Sequence, residues 1–290
     1  MAYDLQTGSV GLRAEVVDSM VKQIAEPSYT FKQALTVVPT NAWKNTFFRE
    51  DPTMSSGPTG NVFKGVPWGA AFPHSDTTWQ EVSVRIIKHA VETNIPWEQI
   101  ISGEIDVQAR TIIRRTREIV KSVDDDIWST LTSDATVITS FSVESASIGT
   151  WQESSGAIID DLMHASQLIA QQNYDTSDLM CFVSPKDRRS IMTYLVGKGA
   201  QFPSIATDVA NNGVIGKLAG ITLVVSNSVA ASYALVVKPK VCGTWKELVS
   251  LRSATTEDPL KSWRIRVVEE GVVEVTDPLA ICLIKGTQKT

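Results

Sequence analysis

The chain has 290 residues, enough for one large or two modest domains, and its 43% hydrophobic and 20% charged residues are typical of globular proteins. Its formal net charge of -5 argues against a dedicated nucleic-acid binder, because neutralising phosphates requires clustered Lys and Arg. Cys181, Cys242 and Cys282 are far apart in apolar surroundings, which predicts buried thiols and excludes a disulfide framework. Without a signal peptide or an apolar run of the roughly 18 residues that cross a bilayer, we expect folding in the cytoplasm of the producing cell and no membrane contact.

The first predicted element is a short amphipathic helix. Apolar residues recur at helical spacing from Val16 to Ile24, and Pro27 closes the segment. Two interpretations are open at this point: the helix is an arm that packs on a neighbouring molecule, or it packs on its own domain.

A long irregular loop is predicted next, over residues 47–77. Its four prolines and four glycines exclude a helix or a central strand. Compact domains rarely contain so long an irregular connection unless it is functional. Phe63, Trp68 and Phe72 lie in the loop, and aromatic side chains of this size are typical of interfaces. We therefore expect the loop to reach toward a partner.

A strand and a long helix follow the loop. Trp79, Val82, Val84 and Ile86 alternate with polar residues, which predicts a strand. From Ile105 the apolar period becomes helical, and it continues to Leu131, which predicts a helix of about seven turns.

The long helix has a basic face opposite its apolar stripe. Its four cations are Arg110, Arg114, Arg117 and Lys121. One interpretation is a solvated helix face. The other is a row of cations that faces packaged nucleic acid or acidic groups of an adjacent subunit. For Asp124, Asp125 and Asp126, near the end of the same helix, we expect solvated charge or ion pairs between subunits.

The second half of the chain predicts an alternation of helices and strands. The Ser/Thr-rich stretch 132–156 marks a domain boundary, and Ile158 begins a helical stripe. The strand LMCFV, a helix that starts at Ser184–Pro185, and the strands ITLVV and ALVVK come next. The last runs, WRIRVV, VVEV and LAICLI, predict a closing meander, so the fold class is α+β.

Catalytic and metal-binding patterns are not found in the sequence. His74, His89 and His164 have no spacing typical of metal ligands or of a nucleophile and its base. The segment from Gly213 to Lys217 lacks the phosphate-loop spacing and is interpreted as a turn before a strand. An α/β enzyme with the 47–77 loop as its lid would need convergent His, Cys or acidic groups, and the sequence offers too few. We expect no catalytic residue, cofactor or metal.

The order of these elements resembles the Hong Kong 97 type of major capsid protein of tailed double-stranded DNA viruses. The segment SDTTWQEVSVRIIKHAVETNIPWEQIISGEIDVQARTIIRRTREIVKSVDDDIWSTL is similar to that family's loop return and spine helix. The segments NYDTSDLMCFVSPKDRRSIMTYLVGKG and GVIGKLAGITLVVSNSV resemble its axial domain. The segment WRIRVVEEGVVEVTDPLAICLIKG resembles the closing strands of its peripheral domain.

The resemblance implies a division of the chain into five parts. Residues 1–46 would form an N-terminal arm and residues 47–84 an extended loop. Residues 85–150 would form the peripheral domain, with a spine helix at about 104–132. Residues 151–258 would form the axial domain, and residues 259–290 the closing strands of the peripheral domain. In the loop, Phe63, Lys64, Trp68 and Phe72 would contact neighbouring subunits.

The resemblance also implies a function. Pentamers and hexamers of the chain would join into an icosahedral shell around a DNA genome, assembled in the host cytoplasm, with local non-specific DNA contacts. Portal and decoration proteins are further expected partners. Because the arm is short, we expect a separate scaffolding protein or none. Some members join a loop lysine covalently to an asparagine; Lys64 lies in the loop, but no partner is identified, and we do not expect this chemistry. The alternative is an encapsulin-type nanocompartment, which has the same fold but encloses cargo enzymes.

Overall fold

The computed structural model describes residues 14–25, 29–50, 67–71, 79–102, 107–141, 150–152, 157–197, 216–258 and 261–288. The helices within these ranges are α1 (Ala14–Ala25), α2 (Trp97–Ser102), α3 (Val107–Ser133), α4 (Ile158–Gln171) and α5 (Pro185–Gly197). The strands are β1 (Thr36–Pro39), β2 (Lys44–Glu50), β3 (Trp79–Arg85), β4 (Ile87–Pro96), β5 (Ile138–Phe141), β6 (Met180–Val183), β7 (Lys217–Leu218), β8 (Ile221–Val225), β9 (Tyr233–Val237), β10 (Thr244–Asp258), β11 (Ser262–Glu274) and β12 (Ile281–Lys285). Short 3-10 turns lie at Phe31–Ala34 and Pro278–Ala280.

The strands form three sheets. One has four strands in the order β1-β10-β11-β4, and another has six in the order β5-β12-β9-β6-β8-β7. The third is the two-stranded hairpin of β2 and β3. This mixture of helices and sheets confirms the predicted α+β class.

Helix α3 connects the two larger sheets, and its length confirms the predicted long helix. Its stripe of Ile112, Ile119, Val123, Ile127 and Leu131 is buried, as a helical repeat of apolar residues requires. The same hydrophobic cluster contains Ile265 and Val267 of β11 and residues such as Phe182 of β6 and Leu283 of β12. One core therefore joins the four-stranded sheet to one face of the six-stranded sheet.

The opposite face of the six-stranded sheet has a second core. Helices α4 and α5 contribute Ile158, Leu162, Ile191 and Leu195 to it, and the strands contribute Cys181, Val236 and Cys282. Because successive strand residues point to opposite faces, almost every residue of β6, β9 and β12 is buried on one side or the other. All three cysteines are buried free thiols, as predicted.

The predicted closing meander is wrong. WRIRVV and VVEV belong to one continuous strand, β11, while LAICLI forms β12 in the other large sheet. The sequence suggested a break at EEG because glutamate and glycine disfavour strand interiors. In the structure Glu269 and Glu270 are buried and paired, and Gly271 leaves room for the Trp245 ring.

Strand pairing joins segments that lie far apart in the chain. Strand β10 lies within the predicted 151–258 part but pairs with β1 and β11 in the four-stranded sheet. Strand β12 lies within the predicted 259–290 part but pairs with β5 and β9 in the six-stranded sheet. An apolar run indicates that a strand forms, but it does not indicate which sheet the strand joins.

The described part of the predicted arm packs on its own chain, which selects one of the two interpretations of α1. Val17, Val21 and Ala25 are buried against α3 and β10, and Asp18 accepts a hydrogen bond of 2.9 Å from the Ser253 amide. Residues 36–39 then pair with β10 as β1. Residues 1–13 lie outside the described residues. No helix in the described ranges is long and apolar enough to span a membrane.

Candidate functional site

The β2–β3 hairpin is the described base of the predicted loop. The two strands are antiparallel, with Lys44 opposite Arg85 at one end and Glu50 opposite Trp79 at the other. Of the four loop residues predicted to contact neighbouring subunits, Phe63, Lys64 and Phe72 lie outside the described residues. Trp68 is described and its side chain is fully exposed. The contacts of all four remain a prediction.

One face of the hairpin exposes two large aromatic side chains. Phe48 is 64% exposed and Trp79 is 62% exposed, and the register makes them diagonal neighbours across the two strands. Trp43, directly before β2, is also largely exposed. Grouped exposed aromatics of this kind mark interaction surfaces.

The sequence did not identify this aromatic face. The adjacent pair Phe47-Phe48 must place its side chains on opposite faces of a strand, which was an available signal. Trp79 was assigned to the same apolar alternation as Val82 and Val84, and this is wrong, because residues 79 and 82 differ by three and point to opposite faces. Val82 and Val84 are half-buried, whereas Trp79 is exposed.

The other face of the hairpin is anchored to the end of α3. Arg49 forms an ion pair with Asp134, and its Nε donates a hydrogen bond of 3.0 Å to Gln80. Burial acts to raise the pKa of Asp134, but hydrogen bonds from Thr136 and Arg49 outweigh it and hold that pKa below its usual value. The hairpin is thus fixed on one side and open on the other.

The predicted basic face of α3 is present as a stripe. Arg110, Arg114, Arg117 and Lys121 are all exposed, and their helical positions fall within about 60° of one another around the axis. Arg114 lies 3.5 Å from Glu118, an exposed pair that contributes little to stability. Whether this stripe is a solvated face, faces nucleic acid or contacts another subunit remains a prediction.

The expectation of solvated or inter-subunit charge is wrong for Asp124, which is buried. Its Oδ2 accepts hydrogen bonds from the amide (3.0 Å) and the hydroxyl (2.7 Å) of Thr30, and its Oδ1 accepts one from the Phe31 amide (3.3 Å). Burial raises the pKa of Asp124, and these hydrogen bonds oppose the rise. The sequence missed this pairing because the partners are more than 90 residues apart.

A second buried carboxylate anchors the same segment to β11. Glu269 is 0% exposed, accepts a hydrogen bond from the Tyr29 hydroxyl, and lies 2.8 Å from Lys32 Nζ. Lys32 also pairs with Glu247 at 3.1 Å. Residues 29–32 are therefore held by charged partners on α3, β10 and β11, an arrangement that supports structure.

The three thiols are buried, and each described histidine ring lies close to a serine hydroxyl. Burial raises the pKa of the Cys242 and Cys282 thiols to about 12, so they stay protonated at neutral pH. His89 Nδ1 lies 2.9 Å from Ser122 Oγ, and His164 Nδ1 lies 3.1 Å from Ser140 Oγ. The described part of the chain contains no group of three or more metal-ligating side chains. His74 lies outside it.

The family of proteins described as phage capsid protein matches residues 79–284 of this chain. The match begins at β3 and ends in β12, so it includes α3 and most of both large sheets. No curated protein sequence matches the chain.

Solved structures share the fold at low sequence identity. Mycobacterium phage Che8 is 12% identical, with 90% of this chain and 92% of that chain covered and a TM-score of 0.66. The capsid of cyanophage P-SCSP1u is 13% identical, with 89% and 88% covered and a TM-score of 0.65. A virus-like particle from Pyrococcus furiosus is 11% identical, with 93% and 98% covered and a TM-score of 0.61.

Proposed function

The chain belongs to the phage capsid protein family, as a major capsid protein with the Hong Kong 97 type of fold, and we propose that its pentamers and hexamers join into an icosahedral shell. In this proposal the shell encloses the double-stranded DNA genome of a tailed virus and assembles in the host cytoplasm. The observation that carries the proposal is the family match over residues 79–284. That match also favours a viral shell over an encapsulin-type compartment, whose fold is related.

The proposed contacts between subunits come from the hairpin and its loop. Phe48 and Trp79 are exposed on a hairpin whose other face is already anchored by Arg49, so they are available to another copy of the chain. The loop that continues from the hairpin would extend this contact through Phe63, Lys64, Trp68 and Phe72. Each copy then touches several others, and the lattice gains strength because its contacts act together.

The protein acts in this proposal as a structural component without catalysis. Burial keeps the thiols of Cys242 and Cys282 protonated, and each of the two described histidines lies within hydrogen-bonding distance of a serine hydroxyl. The exposed cations of α3 would face the shell interior and make non-specific contacts with packaged DNA. Scaffolding, portal and decoration proteins are the further partners that such a shell would use.

Expression of the full chain alone tests the shell proposal. Size-exclusion chromatography followed by negative-stain electron microscopy should show closed shells, tubes or capsomer rings. Nucleic acid inside closed particles would support the viral role, whereas a co-purified enzyme inside them would support the encapsulin alternative. A chain that stays monomeric even with its scaffolding protein would contradict the proposal.

Deletion of residues 57–73 tests the role of the loop. The deleted segment lies beyond the anchored hairpin, so the isolated subunit should keep its thermal unfolding midpoint. Closed shells should be absent, because the loop contacts between copies are lost. Substitution of the same residues by a Gly/Ser linker of equal length is the control for loop length, and it should also fail to assemble. Normal particles from either variant would refute the proposed role of the loop.

A further inference from the structure

A cleft lies beside the basic face of α3, where the helix approaches the turn that follows β8. Its volume is about 420 Å³. Two cations of α3 and the polar turn form much of its wall: Arg117, Lys121, Ser226, Asn227 and Ser228. The remaining lining residues are Thr30, Val120, Asp124 and Val225. Three separate segments of the chain thus meet at one opening.

The two cations in this cleft have no acidic partner among the residues that the structure describes. Arg117 and Lys121 are exposed and one helical turn apart, and within the described residues neither forms an ion pair. Arg115 and Arg114, by contrast, both pair with Glu118. Two positive charges that no described acidic residue pairs with therefore border the cleft.

The turn adds neutral hydrogen-bond donors at a fixed position. Ser226 is buried, its Oγ lies 2.9 Å from Thr30 Oγ1, and it accepts a hydrogen bond from the Ser228 amide at 3.2 Å. No described residue hydrogen bonds to the side chains of Asn227 and Ser228. The amide of Asn227 and the hydroxyl of Ser228 are thus free to donate to a ligand.

Asp124, the carboxylate among the described lining residues, is engaged by the protein itself. Both oxygens of Asp124 accept hydrogen bonds from Thr30 or Phe31, and the residue is only 4% exposed. Its oxygens are therefore occupied by Thr30 and Phe31, and neither pairs with the exposed cations at the mouth of the cleft. The cleft combines two cations with free neutral donors, which is the chemistry that recognises phosphate oxygens.

We propose that this cleft binds one phosphate group of a polynucleotide backbone, and that Arg114 and Arg110 extend the contact to neighbouring phosphates. From residue 110 to residue 121 the stripe is about 16 Å long, as the helical rise dictates. This length suits several consecutive phosphates of one strand. The inference rests on the proposed function, since it requires the basic face of α3 to meet the enclosed DNA.

Binding of a fluorescein-labelled DNA duplex of random sequence to the full-length chain tests the cleft. Affinity is measured by anisotropy over a series of chloride concentrations. The double variant R117Q/K121Q should bind more weakly and should lower the slope of log affinity against log salt by about 0.9 for each lost phosphate contact. The control R189Q removes an exposed cation of α5, outside the cleft, and should leave the slope unchanged. An unchanged slope in R117Q/K121Q would overturn the proposal.

The N227A variant distinguishes a built cleft from a merely positive surface. It removes a neutral donor, so affinity should fall about tenfold while the salt slope stays the same. If N227A binds DNA as the unaltered chain does, the cleft is not the phosphate site, whatever the cations contribute.

Inorganic phosphate distinguishes a polynucleotide ligand from a free anion. At equal ionic strength it should displace the duplex only slightly better than chloride does, because one phosphate ion cannot also reach Arg114 and Arg110. Tight binding of inorganic phosphate, together with duplex affinity that the cleft variants leave intact, would instead assign the site to the free anion and contradict the polynucleotide proposal.

Electron microscopy of the same variants separates this inference from the shell proposal. R117Q/K121Q and N227A should assemble like the unaltered chain, because the cleft is apart from the hairpin. If shells form but DNA binding does not depend on the cleft, only the proposal that the cleft binds phosphate is refuted. A chain that binds phosphate through the cleft but never forms shells would refute the shell proposal alone.

Discussion

The six-stranded sheet and the β2–β3 hairpin differ in how many faces of their strands are buried. In β9 of the large sheet, Ala234 and Val236 enter the core under α4 and α5, while Leu235 and Val237 enter the core shared with α3. In the hairpin only one face meets the body of the protein, and the other presents Phe48 and Trp79 to solvent. The sheet therefore buries its apolar side chains within its own chain. The hairpin exposes two aromatic side chains, which a second molecule could bury.

The largest effect on stability is expected from truncating a phenylalanine of the large sheet. Phe182 is fully buried, and its ring stacks on Phe31 with centroids 4.4 Å apart. F182A should lower the free energy of unfolding by about 3 to 5 kcal/mol because it leaves a cavity between the two sheets. F48A, the same substitution in the hairpin, should change it by less than about 0.5 kcal/mol. Chemical denaturation measures both values, and comparable losses would show that the hairpin face is not free.

A smaller effect on stability is expected from substituting either of two neighbouring glutamates in β11, a strand of the four-stranded sheet. Glu269 contacts Lys32 and Tyr29 in the interior, while Glu270 lies on the opposite face and pairs at 3.4 Å with Lys88, whose side chain is exposed. E269Q should cost about 3 kcal/mol because it leaves Lys32 poorly compensated in a buried site. E270Q should cost less than about 1 kcal/mol because its partner is solvated. Equal costs in denaturation experiments would contradict this contrast between the two faces.

The next prediction is that the stability of the protein depends on pH through Asp126. Burial raises the pKa of Asp126, and the nearby His89 opposes the rise only in part. The native state therefore favours the protonated carboxyl. The stabilisation that comes from protonating Asp126 is complete below the usual aspartate pKa of about 3.9. It is lost as the pH rises through the raised pKa of the native state.

D126N tests this pH effect because it removes the titrating group. Relative to D126N, the unaltered chain should gain stability as the pH falls from 7 toward 4, as measured by urea denaturation at each pH. If the stability difference between D126N and the unaltered chain stays constant across this range, Asp126 does not titrate as its burial requires.

The smallest effect on stability should accompany a large effect on assembly. In the double variant F48A/W79A, both side chains are already in water, so the unfolding midpoint of the subunit should move little. Loss of the aromatic contacts should nevertheless reduce the yield of closed particles in size-exclusion chromatography. V196A, which truncates an exposed apolar residue of α5, is the control and should assemble normally. A normal yield of particles from F48A/W79A would show that the exposed face of the hairpin is not needed for assembly.

Local patterns in the sequence were sufficient for most individual elements. The helical stripe of α3, the strands ITLVV and ALVVK, and the helix that begins at Pro185 all lie where periodicity and capping residues predicted them. These signals are short-range, since a helix or strand must place its own apolar residues on one face.

Long-range pairing could not be predicted in the same way. The partners of Asp124 and Glu269 lie far away in the sequence, and the assignment of β10 and β12 to their sheets depends on strand order. The basic stripe of α3 followed from helical spacing alone. The cleft beside the stripe could not be predicted from helical spacing, because Ser226, Asn227 and Ser228 are more than 100 residues away in the chain.

A cryo-electron microscopy reconstruction of assembled particles tests the central claim most directly. The account predicts that Phe48 and Trp79 are buried against a neighbouring copy, and that the loop beyond them lies across another subunit. The six-stranded sheet, with both faces covered by its own chain, should have the same internal packing in every copy. Particles in which Phe48 and Trp79 remain exposed to solvent in every subunit would contradict the account.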